Sequence, residues 1–408
     1  MLRILFTVLA LASIFTLTSQ YVFAENSHNP RESAHSRHSR HNQTLNISTS
    51  MFLMGTDLNK RLYSDKNNIV LSPLSIHLAL DMVLTGSVGK TRGAVATALK
   101  IPISEDPKNI KESARSLMNS LMEDKDVTLN IANSIWIKKN FKVKNSFLKD
   151  CQKYFSAEAR NEINAKEIND WVSSKTNAKI KEIITQQVAD SADLVLLNAV
   201  YFYGTWHKTF DANLTEKQKF MLDGNKSIMA PTMRQKSNFE YFETKDFQAV
   251  RLPYKGNKLA MYVFLPSKDS SLKKFMSTFS DKAWNDVLQN STPEEVEISL
   301  PKFKLEYEET LNKTLASMGM DIAFSPAANF GLISQDRIYI SLVKHKTYID
   351  VNEKGTEAAA ATSIVMTKSI KIQNEPKIFK VDRPFYFIIA HEDANTPLFM
   401  GTIVNPEK

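Results

Sequence analysis

Residues 353–365 read EKGTEAAAATSIV, with four consecutive alanines, Ala358–Ala361, where the preceding residues alternate like a strand. Ala and Glu are strong helix formers. The run is too short to make a stable helix alone, has Thr356 before it and Thr362 after it, and follows Gly355, a flexible joint beyond the strand-like Tyr348–Val351. Read as extended chain, Thr356, Ala358, Ala360 and Thr362 share one face, while Glu357, Ala359, Ala361 and Ser363 share the other. One face is uniformly small and the other tolerates water. The segment belongs strongly to neither state, and its small side chains are those a strand needs to slide into a crowded sheet.

Outward from this stretch, the pattern divides into early helices and late strands. Ser72–Leu99 reads as two helices, opened by Ser72 and Pro73 and joined between Gly86 and Gly89. Leu129–Ile137 and Leu194–Phe202 are runs of Ile, Val, Leu and aromatics, hence buried strands, and 145–186 is mostly helical in pattern. After Trp206 come AVRLPY, LAMYVFLP, EVEISLPKFKLEY, TYIDV, FYFIIAH and PLFMGTIV, all short strand signals. This order predicts an α+β protein with large, mainly antiparallel sheets.

The chain has 408 residues, 43% hydrophobic and 24% charged, enough for a large core. Residues 1–24 carry Arg3, an apolar run from Ile4 to Leu17 and a small-residue exit at Ala24, the pattern of a secretory signal peptide cleaved before Glu25. The expectation is a secreted, extracellular, soluble protein. Residues 25–46 hold His28, His35, His38 and His41 among arginines and serines with almost nothing apolar, and read as a disordered arm. Two uses stay open for it: a solvated tail, or a metal- or acid-binding segment that strengthens as pH falls. Asn42, Asn46, Asn213, Asn225, Asn290 and Asn312 each begin an N-x-S/T sequon, which a glycosylating host would read. Cys151, the only cysteine, cannot form an internal disulfide and reads as a buried small side chain in a helix.

Enzymatic signatures are absent. There is no G-x-S-x-G, no H-E-x-x-H, no phosphate-binding glycine loop and no dinucleotide fingerprint after a strand. His77, His207, His345 and His391 are isolated in sequence and read as structural. The net charge of +8 is spread along the chain, so weak polyanion binding through residues 136–144 or the arm is the most it suggests. Neither nucleic acid, membrane nor cofactor is called for, and the expectation is a monomer.

Six further stretches carry a resemblance: NIVLSPLSIHLAL (68–80), LVLLNAVYFYGTWHKTFD (194–211), LPKFKLEY (300–307), LASMGMDIAFSPAANFGLIS (315–334), HKTYIDVNEKGTEAAAAT (345–362) and DRPFYFIIAHEDANTPLFMGTIVNP (382–406). In that order the chain resembles a serpin from about Asn46 to Lys408, which makes 47–408 a single domain. Departures are modest: LDMVLTGSVGKT is less regular than usual, and Ala178 stands where glycine is common. The resemblance implies three β-sheets with about eight or nine helices, and an exposed reactive loop at about 353–377 hinged on the opening stretch. It implies no catalysis of its own but suicide inhibition of a serine or cysteine protease: the protease cuts the loop, forms an acyl-enzyme, and is dragged as the loop inserts into the central sheet.

Residue by residue, the resemblance makes Glu353, Gly355, Thr356, Glu357, Ala358, Ala359, Ala360, Ala361 and Thr362 the hinge. It pairs Glu353 with Lys302 beside Trp206 at the point of insertion, and gathers Ser72, Ser75, Asn198 and His345 under the centre of the main sheet. Seventeen residues counted from Glu353 end on Ser369, giving a Ser369–Ile370 cut; one residue earlier, Lys368–Ser369 suits a trypsin-like pocket, and Met366 and Lys371 also stay open. Non-inhibitory relatives tend to carry bulky, charged or proline residues in the hinge, and none stands on the inward face here. Inhibition of a target protease is therefore expected, with a non-inhibitory carrier or chaperone-like protein as the alternative.

Overall fold

Ser72 accepts a hydrogen bond from the backbone N–H of Ser75 at 3.3 Å, and Pro73 follows at the first helical position. These two residues start a helix whose every side chain is buried, so it becomes the axle of the molecule. The computed structural model describes residues 46–122, 127–222, 226–356 and 375–408. The leader, the arm up to Leu45, the sequons Asn42 and Asn225, hinge residues Glu357–Thr362 and the reactive bond Lys368, Ser369 and Ile370 all lie outside the described residues.

The helices are α1 (Ile47–Leu62), α2 (Pro73–Gly86), α3 (Gly89–Ala98), α4 (Pro107–Met122), α5 (Asn145–Phe155), α6 (Ala165–Lys175), α7 (Gln186–Ser191), α8 (Leu272–Thr278), α9 (Asp281–Asn290) and the single turn α10 (Asn312–Leu315). The early strands are β1 (Ile69–Leu71), β2 (Val127–Ile137), β3 (Glu158–Arg160), β4 (Leu194–Thr205), β5 (Glu216–Met221), β6 (Ser227–Glu243), β7 (Phe247–Pro253) and β8 (Leu259–Pro266). The later ones are β9 (Thr292–Pro301), β10 (Phe303–Thr310), β11 (Leu342–Asn352), β12 (Gly355–Thr356), β13 (Lys377–Lys380), β14 (Phe385–His391) and β15 (Thr396–Ile403).

Six strands form the central sheet in the order β10-β11-β12-β4-β2-β3, and nine form the other network, β1-β15-β14-β8-β7-β6-β9-β13 with β5 on β6. The long β6 divides this second network: its first six residues pair with β5, its last three pair with β7, and β9 runs along most of its length. The three sheets expected are thus met as one central sheet and two part-sheets sharing β6.

The large core lies between α2 and both networks. A second, aromatic core joins Phe264, Phe275, Phe279, Trp284 and Tyr386 between α8, α9 and the nine-stranded network. A third packs Ile168 and Val172 of α6, with Ile180, Ile183 and Ile184, on Ala132, Leu197 and Ala199 of the central sheet. Most predicted strands appear almost residue for residue, LAMYVFLP becoming β8 and FYFIIAH becoming β14.

The stretch 145–186 departs from its helical reading. It holds α5, the short β3 and α6, and 176–185 is irregular. Asn177 and Ala178 break the helix with φ of 51° and 58°. The family's glycine at Ala178 would take that left-handed conformation without a Cβ clash. Cys151 is fully buried, and burial pushes its thiol up, which leaves it inert. Among the described residues no helix is long and apolar enough to cross a membrane, and no cluster of His, Cys, Asp or Glu could hold a metal ion.

Candidate functional site

β11 turns back on itself at Glu353–Lys354, and Gly355–Thr356 become a two-residue strand. That strand is wedged between two others: Thr356 pairs with Val351 of β11 on one side and with Gly204 of β4 on the other. Below the wedge β11 and β4 pair with each other directly, in parallel, from Tyr348–Tyr201 down to Leu342–Val195. The central sheet is therefore already split at one end and closed along the rest.

The wedge is held from several directions. Thr356 is fully buried, and its hydroxyl lies 2.7 Å from that of Tyr254. Tyr254 stacks on Trp206 with centroids 4.6 Å apart. The Trp206 indole donates to the Asn352 carbonyl at 2.9 Å, and its backbone N–H donates to Lys354 at 2.9 Å. Phe210 N–H donates to the Glu353 carbonyl at 2.8 Å. Gly355 has φ 151°, and a Cβ there would stand 2.0 Å from the Gly204 carbonyl oxygen, so only glycine lets the two backbones approach this closely.

Glu353 receives Lys302 at 3.0 Å on one oxygen and the Thr215 hydroxyl at 2.8 Å on the other. Partial burial by itself pushes this carboxyl up. Its own backbone N–H, Lys302 and Thr215 outweigh that effect and hold it below the usual glutamate value. Lys302 is placed by sequence: it is the one residue between β9 and β10, where its N–H turns to the Pro231 carbonyl at 2.8 Å. The structure thus brings Trp206, Lys302, Glu353, Gly355 and Thr356 to one place.

Farther down the seam, Asn133, Asn198 and His345 stand side by side on β2, β4 and β11. His345 is fully buried, and desolvation pushes it down to about 3, so its ring is neutral. Its Nε2 accepts from the Ser72 backbone N–H at 3.1 Å, which puts the proton on Nδ1, the nitrogen that meets Asn198 Oδ1. The Asn198 amide donates to Ser75 Oγ and Asn133 Oδ1, and the Ser75 hydroxyl donates to Asn133 Oδ1 at 2.9 Å. One network thereby links the start of α2 to all three central strands, and the Asn198–His345 contact crosses the seam itself.

The expected cluster of Ser72, Ser75, Asn198 and His345 is assembled here. Sequence reading missed Asn133, although a lone amide inside LNIANSIWI marks a buried polar position that needs partners. It also missed Tyr254 and Thr215, for which no local signal existed: each acts only through a neighbour distant in sequence.

A split central sheet, a glycine-dependent hinge and a neutral polar network under the seam define the class. The chain belongs to the serpin family, whose profile, described as serine protease inhibitor, matches residues 50–406. An uncharacterized serpin-like protein of Thermococcus kodakarensis is 36% identical over 362 residues, covering 86% of this chain and 84% of its own. The crystal structure of tengpin, a thermophilic serpin in its native state, matches with a TM-score of 0.79 at 31% identity, over 88% of this chain and 94% of that one. Human thyroxine-binding globulin complexed with thyroxine matches with a TM-score of 0.81 at 26% identity, over 88% and 98%. The fold thus also occurs in a thyroxine-binding protein.

Proposed function

We propose that this protein is a secreted suicide-substrate inhibitor of a serine protease, of trypsin-like specificity, working as a monomer through a covalent complex. The observation that carries the reading is the seated hinge: Gly355 and Thr356 already occupy the first two positions of a strand between β4 and β11. If insertion continued that register, residue 362 would come opposite both Asn198 and His345, and residue 366 opposite Leu194, where β4 ends. Residues 357–366 are small or medium, and none on the inward parity of Thr356 is charged or proline. Thr362 would bring a hydroxyl to the point where the Asn198–His345 contact is pulled apart.

The register also bears on the scissile bond. A slot that runs out at residue 366 supports a cut within a few residues beyond it, which suits Lys368–Ser369, with Ser369–Ile370 next. Inserting about ten residues, at roughly 0.5–1.5 kcal/mol net per hydrogen bond plus burial of one face, yields on the order of 10 kcal/mol. A protease stable by roughly 5–15 kcal/mol can be disordered by that amount. The uncut form then persists because the seam opens slowly.

The test is incubation with trypsin-, chymotrypsin- and elastase-like proteases, followed by denaturing gels and sequencing of the released carboxy-terminal peptide. An SDS-stable complex with a peptide beginning at Ser369 is expected. Full protease activity, with no thermal stabilisation after loop cleavage, would overturn inhibition and leave the non-inhibitory alternative.

A further inference from the structure

A cavity of about 350 Å³ opens beside the hinge. Its apolar wall is Trp206, Phe210, Phe239 and Leu252, and Lys208 and Glu240 border it with opposite charges. Pro253 and Pro293 complete the apolar half of the lining, while His207, Ser237 and Asn238 join the polar half, so the cavity has the volume of a small-ligand site with more polar groups than most. Arg251 also borders the cavity, but its guanidinium is engaged by Glu392 through two bonds of 2.6 Å. The Lys208 ammonium donates one bond to the Ser237 hydroxyl at 2.7 Å and has three donors, so it can take an anion as well.

We infer that this cavity binds a planar aromatic molecule carrying one anionic group and one hydrogen-bond donor. The rings pack against Trp206 and Phe210, the anion meets Lys208, and the donor turns toward Glu240. Binding is coupled to the hinge because the wall and the hinge share residues. Trp206 holds Asn352 and Lys354, and Phe210 holds Glu353. A ring that fixes Trp206 and Phe210 in place favours the seated hinge over the displaced one. By reciprocity, a displaced hinge weakens ligand binding by the same factor. The inference rests on the hinge geometry and stands whether or not the protein inhibits a protease.

The probe is 1-anilinonaphthalene-8-sulfonate, which has fused rings, a sulfonate and an N–H donor. Titration of the full chain, followed by probe fluorescence, is expected to saturate. Lys208→Glu should weaken binding by about tenfold, the loss of one charge-assisted contact, while leaving the thermal midpoint in place because Lys208 is exposed. Ser237→Trp, which fills the cavity, should abolish the saturable phase. Gly355→Ala, or Thr356→Arg if that variant fails to fold, should weaken binding by about fivefold, the low end of typical coupling. An absence of saturable binding, or equal affinity in wild type, Lys208→Glu and Ser237→Trp, overturns the site. Weakening by the cavity variants with no effect of the hinge variants overturns the coupling.

Discussion

The hydroxyl of Thr356 lies 2.7 Å from that of Tyr254, in a place where neither reaches solvent. Burial pushes the Tyr254 phenol up, so it keeps its proton and the pair stays neutral. The first inward-facing hinge residue is thus satisfied as a strand residue before any cleavage. An arginine at that position would bring an unpaired charge into a closed core. Thr356→Arg is expected to convert the protein from inhibitor to plain substrate, with cleavage continuing and the SDS-stable complex lost. Complex formation by this variant at the wild-type stoichiometry would show the insertion mechanism to be wrong.

The seam network makes a second case. Asn198→Ala would leave the His345 Nδ1–H without a partner, at a cost of about 1–3 kcal/mol, and would take one contact each from Ser75 and Asn133, which keep their own hydrogen bond. The urea midpoint should fall accordingly. Because the lost contact crosses β4 and β11, the variant should also convert on warming to inserted or polymeric forms faster than wild type, which native gels would resolve.

His345 sets a pH dependence of known sign. Its ring titrates near 6.5 in an unfolded chain and is pushed down to about 3 in the folded one. Between those values the unfolded state binds the extra proton, so stability is fully present above pH 6.5 and is lost as pH falls toward 3. The slope contributed is at most about 1.4 kcal/mol per pH unit. His345→Gln, which can still accept from Ser72 and donate to Asn198, should show a flatter decline of the urea midpoint between pH 6.5 and 4. An unchanged slope would remove His345 from the account.

Lys302 is more than a third exposed, and its ion pair with Glu353 at 3.0 Å is screened by water. Lys302→Ala is expected to cost no more than about 1 kcal/mol. Its larger effect should be on the hinge: faster cleavage of the loop by a non-target protease, read as a time course on gels, with nearly the wild-type thermal midpoint.

Ala178 carries a left-handed backbone, φ 58°, that an L-residue adopts at a cost of about 1 kcal/mol. Ala178→Gly removes the Cβ and should raise stability by about 0.5–1 kcal/mol, the relief being partly offset by the entropy glycine loses on folding. Thermal melts of the pair measure it directly.

What was legible in the sequence followed from periodicity and turn chemistry. Ser72-Pro73 and the Gly86–Gly89 join mark α2 and α3, and alternating or continuous apolar runs mark β4, β8 and β14. The inward position of Thr356 was also readable, since side-chain alternation is a local property of extended chain. The irregular 176–185 was not: Asn177 is a residue type that tolerates the left-handed region, but Ala178 beside it adopts the same conformation with no local signal for it.

By itself, then, the sequence determined most of the strands and helices and the small, neutral character of the segment that follows Gly355. Only the tertiary structure decided where that segment goes. Thr356 becomes a strand residue because Gly204 and Val351, 152 and five positions away in the chain, leave a gap between them that its backbone fills. Asn133, Asn198 and His345 form one network because three strands remote in sequence place them in one row. Buried donors and acceptors must find partners wherever the fold supplies them. That choice is made by sheet register, which no local pattern encodes.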